Sequence, residues 1–335
     1  MKNIVKMKNS LMSVAALSVL TLISTACTTA SSSIALPSSI MVNGVAQNPE
    51  GIEYDKNDHT FLLSSLNAAP IIKVNTDGTF KAFTSGEKFP LSSAGLQIDY
   101  KHNRLLVAGF NGMELMDKKP ETKGISFLRV YNLKTGVLEK DINLSHLAPH
   151  ASAYFANDIA VDDAGNAYIS DWYAKVIYKV DLSGKATLFW RNETVISGGP
   201  NGLDCNSDGF LLVSLLNVNA KGLYSDYGLI KIPLEKPSSV QVVTISDSKF
   251  SGFDGMVINE KGNVIGVSNN QKTPGGNTLL ELSTQDNWKS AKVLNVKAIK
   301  ASTTVAITPE NDNYVINQDF TRNFAKSWHV EKISF

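Results

Sequence analysis

From residue 34 onwards, apolar and polar residues follow one another in short runs that are rich in β-branched side chains and are separated by glycine, asparagine and aspartate. No long stretch keeps the three-to-four-residue periodicity of an amphipathic helix. The pattern therefore predicts short strands joined by tight turns, and hence an all-β fold.

One six-residue pattern recurs six times in this region. A first residue, called position X below, is followed by a small or polar residue and then by two apolar residues that flank a variable one. Successive X positions are separated by 44, 63, 44, 53 and 49 residues, and each copy continues with a turn and further strand-like runs. Six units of about 50 residues with four strands each predict a six-bladed β-propeller. Position X is occupied by Glu50, Ala94, Asn157, Asn201, Asp254 and Thr303.

The repeat also predicts how the ring closes and where its hairpins turn. The sixth unit ends near Phe335 after three strands, so we expect the unassigned run 34–42 to complete the last blade and cover its edge. We expect a left-handed residue eight positions after X, because five of these six residues are Gly, Asn or Asp. They are Asp58, His102, Gly165, Gly209, Gly262 and Asn311.

The X side chains are expected to converge, because the first strand of each propeller blade lines the central channel. Two carboxylates in a confined site repel each other unless a cation lies between them. Because the donors are oxygen atoms, we expect a divalent ion, with Ca²⁺ favoured over Mg²⁺ and Zn²⁺ disfavoured. The alternative is that each X residue is a polar residue at a strand start, but the shared register favours the metal site. The X residues that end in a carboxylate or an amide are Glu50, Asn157, Asn201 and Asp254.

Composition narrows the possible functions. The chain has 335 residues, 43% hydrophobic and 19% charged, which excludes a mainly disordered or coiled-coil protein. With 32 basic and 31 acidic side chains and no basic block, we expect no nucleic-acid partner. Cys27 and Cys205 are too few for a disulfide-rich scaffold, and we expect Cys205 to be a small buried core residue.

The N-terminus has the features of an export signal. Lysines precede an apolar stretch over 11–23, which is shorter than the roughly 20 residues that a membrane-spanning helix needs. We expect a signal peptide over 1–26, a polar tether over 27–38 and the propeller over 39–335. Removal of the signal takes away three lysines and changes the formal charge from +1 to −2.

Two routes of maturation are open. The residues before Cys27 resemble a bacterial lipobox, in which this cysteine would be lipidated, and the alternative is ordinary cleavage after Ala26 or Ala30. The first route predicts a cell-envelope lipoprotein that meets the membrane only through its lipid anchor. The second predicts a periplasmic or secreted protein.

Four motifs, taken in order, resemble the regucalcin/gluconolactonase-like family of six-bladed propellers, with paraoxonase and diisopropylfluorophosphatase as more distant relatives. The resemblance implies that Glu50, Asn201 and Asp254 hold a divalent cation, commonly Ca²⁺. It implies that Asn157 either contacts the metal or orients water and substrate, and that the chain hydrolyses lactones, or organophosphates as some relatives do. The motifs are Pro49-Glu50-Gly51, Asn157-Asp158, Gly199-Pro200-Asn201-Gly202-Leu203 and Phe253-Asp254-Gly255-Met256.

The chain departs from this family at one informative position. Sugar lactonases of the family often carry an arginine two residues before the third-blade asparagine, where this chain has Phe155. Because a phenyl ring cannot bind sugar hydroxyls, we expect a substrate less polar than a sugar lactone. The loops after the second strands open on the X face, and their first residues are candidates for the substrate rim or are simply surface residues. These rim candidates are Trp172, Asn217, Asn269 and Phe320.

These observations favour an exported, metal-dependent hydrolase of a lactone or similar ester. Asp254 would be the general base, or the nucleophile, and Asn157 would help to fix the geometry. One alternative is a non-enzymatic propeller that binds a ligand or protein at the cell envelope and carries a structural Ca²⁺. A second alternative is an enzyme that acts on another substrate, such as a phosphotriester.

Overall fold

Six four-stranded antiparallel sheets follow one another along the chain in the computed structural model, as the repeat predicts. The structure describes residues 35–43, 48–67, 69–88, 91–111, 124–193, 198–218, 224–269, 277–300, 302–317 and 327–335. The only helix in these ranges is a short 3-10 turn over Ser145–Leu147, and none of their helices is long and apolar enough to cross a membrane.

The strands are numbered in chain order, beginning with β1 at Ser39–Asn43. The first blade contains β2 Pro49–Asp55, β3 Thr60–Ser65, β4 Ile72–Val74 and β5 Phe80–Ala82. The second contains β6 Ser92–Asp99, β7 Arg104–Phe110, β8 Ser126–Asn132 and β9 Leu138–Asn143. The third contains β10 Ala156–Val161, β11 Ala167–Asp171, β12 Val176–Val180 and β13 Ala186–Arg191. The fourth contains β14 Gly199–Asn206, β15 Phe210–Val218, β16 Tyr224–Pro233 and β17 Gln241–Val243. The fifth contains β18 Met256–Ile258, β19 Val264–Asn269, β20 Asn277–Ser283 and β21 Lys292–Ile299. The sixth contains β22 Val305–Ile307, β23 Asn313–Asn317, β24 Ser327–Ile333 and, at its edge, β1.

The ring closes through its N-terminal strand, which confirms the expected use of this run. β1 pairs antiparallel with β24, and Ile40 faces Val330 in the register. Alternate residues of β1 are buried, so that Ile40 is 1% exposed and Met41 is 52% exposed. The first and last described segments therefore share one blade, and the outer edge of β24 is covered.

Loss of the inner face of β1 should weaken the whole ring. We expect Ile40→Ala to lower the free energy of unfolding by about 2–5 kcal/mol, because it removes a buried side chain and leaves a cavity. Met41→Ala, on the exposed face of the same strand, should change it by less than about 0.5 kcal/mol. Urea unfolding of both variants measures the difference, and equal effects would contradict the strand assignment.

Apolar side chains are concentrated between the blades. One buried cluster lies between each pair of neighbouring blades. Between the last and first blades, Phe61 packs against Tyr54 and Tyr314 with ring centroids 5.2 and 5.0 Å apart. Cys205 is half-buried at the edge of another cluster, so it is less buried than expected. Because the apolar core lies between the blades, polar residues of the first strands occupy the axis.

The hairpin turns follow the predicted register in four blades and differ in two. Gly165, Gly209, Gly262 and Asn311 have positive φ, as expected. In the first two blades the prediction is wrong by one residue, since His59 and Asn103 adopt positive φ instead of Asp58 and His102. These two hairpins pair Asp55 with Thr60 and Asp99 with Arg104, so their four-residue loops place the left-handed residue one step later.

Candidate functional site

The six X residues occupy equivalent places at or just before the first strand of each blade, and all are buried. None is more than 9% exposed. In the first four blades the strand register shifts between the residue before X and the second residue after it. Such bulges bend a strand locally and re-aim its side chains. The sequence pattern therefore identified a shared structural position in every blade.

The glycines that follow X reflect close contact between neighbouring blades. A Cβ atom at Gly51 would lie 2.3 Å from the carbonyl oxygen of Ala94, and one at Gly202 would lie 2.3 Å from that of Asp254. Both distances are far below van der Waals contact. The next blade's X residue is thus packed directly against the backbone of the blade before it, which only glycine allows.

Serine hydroxyls of the second strands hold the X residues of the next blade in place. Ser64 Oγ accepts a hydrogen bond from the Gly51 amide and donates to the Ala94 carbonyl oxygen. Ser170 Oγ donates to the Asn201 carbonyl oxygen at 2.7 Å, and Ser214 Oγ accepts from the amide that precedes Asp254 at 2.8 Å. These serines were not predicted, although a serine at this point in three second strands was the available signal.

Threonine completes the ring between the last blade and the first. Thr303 Oγ1 donates to the carbonyl oxygen of Glu50 at 2.7 Å, and the Thr303 carbonyl oxygen accepts from the Gly255 amide at 2.6 Å. Thr303 has no carboxylate or amide side chain, so its role here is to position Glu50. Hydrogen bonds between neighbouring blades therefore hold the backbone at the X residues in place.

Glu50 and Asp254 are the two carboxylates among the X residues. Burial raises the pKa of Glu50 well above its usual range, and the nearby carboxylates of Asp254 and then Asp158 raise it further. Desolvation and like charge thus act in the same direction, against ionisation. A cation at this place would reverse both effects, which is the electrostatic situation that a metal site requires.

The amide of Asn201 fits the same interpretation. Its side-chain oxygen is buried and has no hydrogen-bond partner, whereas buried acceptors in native proteins are nearly always paired. A hard divalent cation binds carboxylate and amide oxygens. No group of three or more His, Cys, Asp or Glu side chains in the described part of the chain could hold a metal, so a cation here would need the asparagine oxygens.

An acidic cavity of about 340 Å³ continues from the X residues along the first strands, and Glu50 and Asn157 line its wall. Asp158 accepts hydrogen bonds from the amides of Ile159 and Leu203, and so links the third blade to the fourth. Burial is the main reason why its pKa rises to about 8. The carboxyl groups at the axis therefore extend beyond the X residues.

Two further carboxylates line this cavity. Asp204 accepts hydrogen bonds from the amides of Cys205 and Ile258, both at 2.7 Å, and burial raises its pKa to about 6. The pKa of Glu53 is raised well above its usual range by burial, then by Asp204 and Asp158. A propeller axis that buries this many acids is destabilised when they ionise without a counterion.

This burial predicts a pH dependence of stability. Because the pKa of Asp204 is higher in the folded protein, about 6 against an ordinary 3.8, the folded state binds the proton more tightly. The resulting stability is fully present below about pH 4 and is lost as pH rises through 6. Between pH 4 and 7, in chelator, Asp204→Asn should gain up to roughly 3 kcal/mol relative to wild type. Urea unfolding measures this gain in the free energy of unfolding. An equal gain in the control Asp163→Asn, which removes an exposed carboxylate, would contradict the assignment of the effect to Asp204.

The predicted substrate residues are described to different extents. Phe155 is 8% exposed, and its ring stacks on Phe110 with centroids 4.0 Å apart. Trp172 is half-buried and its indole Nε1 donates to the Leu216 carbonyl oxygen at 2.9 Å. Asn217 is half-buried within β15 rather than at a loop start, because this strand continues past it and pairs it with Asp226.

Three predicted positions cannot be placed in the site. Asn269 is the last residue of β19, and only its backbone is described. Phe320 and Cys27 lie outside the described residues.

Comparison with known proteins gives the fold its context. No family model and no curated protein matches the sequence. Among solved structures, the chain is similar to the Malassezia sympodialis allergen Mala s 1, with a TM-score of 0.67 and 18% identity over 90% of this chain and 97% of that one. A gluconolactonase from Xanthomonas campestris gives 0.56 and 12% identity over 88% and 89%. The fold is shared with gluconolactonases.

The resemblance found in the sequence is thereby confirmed at the level of the fold. The PQQ-bound aldose sugar dehydrogenase of Streptomyces coelicolor is also similar, with a TM-score of 0.57 and 13% identity over 89% of this chain and all of that one. A gluconolactonase and a sugar dehydrogenase are thus both similar to this chain in fold. The function of such a fold depends on the side chains at its site, which here lie at the axis.

Proposed function

We propose that this protein is a metal-dependent hydrolase of a lactone or similar ester. The observation that carries the proposal is the pair of buried carboxylates Glu50 and Asp254, because burial and then Asp254 raise the pKa of Glu50, together with the buried amide oxygen of Asn201, which has no hydrogen-bond partner. The gluconolactonases among its structural neighbours support the same class of reaction.

Glu50, Asn201 and Asp254, together with Asn157, would hold the cation, and Ca²⁺ fits their all-oxygen donor set best. When bound, such an ion polarises a carbonyl group and stabilises the oxyanion that forms on it. Asp254 would take the proton from the attacking water as general base, and Asn157 would orient water or substrate. The backbone hydrogen bond from the Asp254 amide to the Val267 carbonyl oxygen, at 2.8 Å, holds this carboxylate's main chain in place.

The test is to incubate the protein with a panel of lactones and esters, in Ca²⁺ and in chelator, and to measure their hydrolysis. We expect turnover in Ca²⁺ and its loss in chelator, with full recovery when Ca²⁺ is restored. Ca²⁺ binding without hydrolysis of any lactone or ester would overturn the enzymatic proposal in favour of a binding propeller with a structural ion. Turnover of phosphotriesters alone would replace the substrate class.

We also propose that the chain is exported and that Cys27 carries a lipid in the bacterial cell envelope. The support is the sequence pattern over 1–27. Mass spectrometry of the mature N-terminus from membrane and soluble fractions tests it. A lipid-modified Cys27 in the membrane fraction, lost in Cys27→Ala, is expected; an unmodified N-terminus after Ala26 or Ala30 would show ordinary secretion instead.

A further inference from the structure

A group of apolar side chains from the first three blades borders the ring of X residues. It includes Ala94, the X residue of the second blade, in contact with Phe110 and Phe155. Leu66, Trp172 and Tyr173 pack against these buried residues and are only partly buried. We call Leu66, Phe110, Phe155, Trp172 and Tyr173 the aromatic platform.

The platform has a buried base and an accessible upper layer. Phe110 and Phe155 are 2% and 8% exposed and lie stacked. Trp172 and Tyr173 stack on each other with centroids 5.0 Å apart, and both meet Phe155 edge-on. Two half-exposed rings on a packed base are a ready surface for an apolar group, because little further ordering is needed on binding.

Buried hydrogen bonds fix the platform. The carboxylate of Asp171, which is fully buried, accepts from the amides of Phe155 and Ala174, both at 2.9 Å. The Trp172 amide donates to the Phe155 carbonyl oxygen at 2.9 Å, and its indole is tied to the fourth blade through Leu216. The indole of Trp172 is therefore anchored to the fourth blade, and the backbone beside both half-exposed rings is held within the third blade.

The position of the platform relative to the X residues indicates its use. Phe155 precedes Asn157 by two residues, and Ala94 belongs to the X ring itself. The X ring is thus apolar on the side of the second blade and acidic at Glu50 and Asp254. A molecule whose reacting carbonyl group lies at the acids would bring its remaining substituent to the platform.

We infer that the aromatic platform binds an alkyl or aryl substituent of the substrate, so that the substrates are lactones or esters with an apolar side group rather than polyhydroxylated sugar lactones. This inference rests on the proposed function for the identity of the reacting group. The surface itself is recognised by its apolar side chains, its stacked rings and its continuity with the X ring.

Binding can be measured separately from hydrolysis. Of the four tryptophans, only Trp172 is half-exposed, and Trp190, Trp288 and Trp328 are at most 8% exposed. Intrinsic fluorescence therefore reports on the platform. We would titrate γ-lactones with alkyl side chains of increasing length into the protein in chelator. The dissociation constant should fall about two- to fourfold for each added methylene that is buried.

Two variants of Tyr173 test whether the platform causes this dependence of affinity on chain length. Tyr173→Ala, at a half-exposed position, should lower the affinity for the longer lactones at least tenfold and flatten the dependence on chain length, and Tyr173→Phe should restore it. Phe80→Ala is the matched control, because Phe80 is 37% exposed on the outer strand of the first blade. A dissociation constant independent of chain length, an equal loss in Phe80→Ala, or tighter binding of a polyhydroxylated lactone would overturn the inference.

The result also separates this inference from the proposed function. Chain-length-dependent binding without any turnover in Ca²⁺ would support the platform and contradict the hydrolase. Turnover in Ca²⁺ that does not depend on chain length would support the hydrolase and contradict the platform.

Discussion

Replacement of Asp254 by asparagine is expected to lower Ca²⁺-dependent hydrolysis of lactones at least about 10²-fold while the protein still folds. The change keeps the size of the side chain and removes the charge and the proton acceptor, so it affects both metal binding and general-base catalysis. The backbone bond from the residue 254 amide to Val267 is unaffected by the substitution. Initial rates with a lactone in Ca²⁺, beside circular dichroism of the variant, give the comparison.

The control for this prediction is Asp163→Asn, which removes one carboxylate from an exposed hairpin of the third blade. It should retain the wild-type rate. Activity of Asp254→Asn within a few-fold of wild type would exclude Asp254 as the general base, whatever its part in binding a metal.

Replacement of Glu50 by glutamine should stabilise the protein in chelator and reduce its stabilisation by calcium. In chelator we expect the variant to be more stable than wild type by a few kcal/mol, because burial and Asp254 both oppose the charge of Glu50. In Ca²⁺ this advantage should shrink, since an ion at 100 times its dissociation constant stabilises the wild type by about 2.7 kcal/mol and stabilises the variant, which has lost a ligand, by less. Urea unfolding at pH 8 in both conditions measures the four values.

A Glu50→Gln variant that is less stable than wild type in chelator would contradict the electrostatic description of the site. Equal stabilisation of both proteins by Ca²⁺ would show that the ion binds elsewhere. Asp163→Asn should follow the wild type in both conditions.

The six-bladed ring and its closing strand could be predicted from the sequence because the repeat makes each blade evidence for the others. Pro49-Glu50-Gly51 is an ordinary turn signal when it stands alone. The six-residue pattern that contains it recurs at five further positions and so predicted X at the start of a first strand, and the structure has X within or just before that strand in every blade. Regular spacing also exposed the missing fourth strand of the last blade, which β1 provides.

Contacts between blades were beyond the reach of the sequence. Ser64, Ser170 and Ser214 matter because each hydroxyl meets the next blade, and that neighbour is defined only by the folded ring. Asp158 and Asp204 look like solvated acids in the sequence, but both line the axial cavity, are half-buried there and have a raised pKa. Turn length likewise differed where one additional hairpin residue moved the left-handed position from His102 to Asn103.

The aromatic platform was only partly foreseen for the same reason. Phe155 stood out because of the residue that the resembling family has there, and Trp172 because it follows a second strand. Phe110 comes from another blade, and its stacking on Phe155 depends on how the second and third blades pack. Tyr173 gave no signal of its own in the sequence, yet its ring is part of the accessible layer of the platform.

Calorimetric titration of Ca²⁺ into chelator-stripped protein, beside Glu50→Gln and Asp254→Asn, tests the axial cation site most directly. We predict that the wild type binds one Ca²⁺ with Glu50, Asn157, Asn201 and Asp254 as its side-chain ligands, and that each variant loses at least tenfold in affinity. The absence of any bound Ca²⁺ in the wild type, or unchanged affinity in both variants, would contradict the existence of this site.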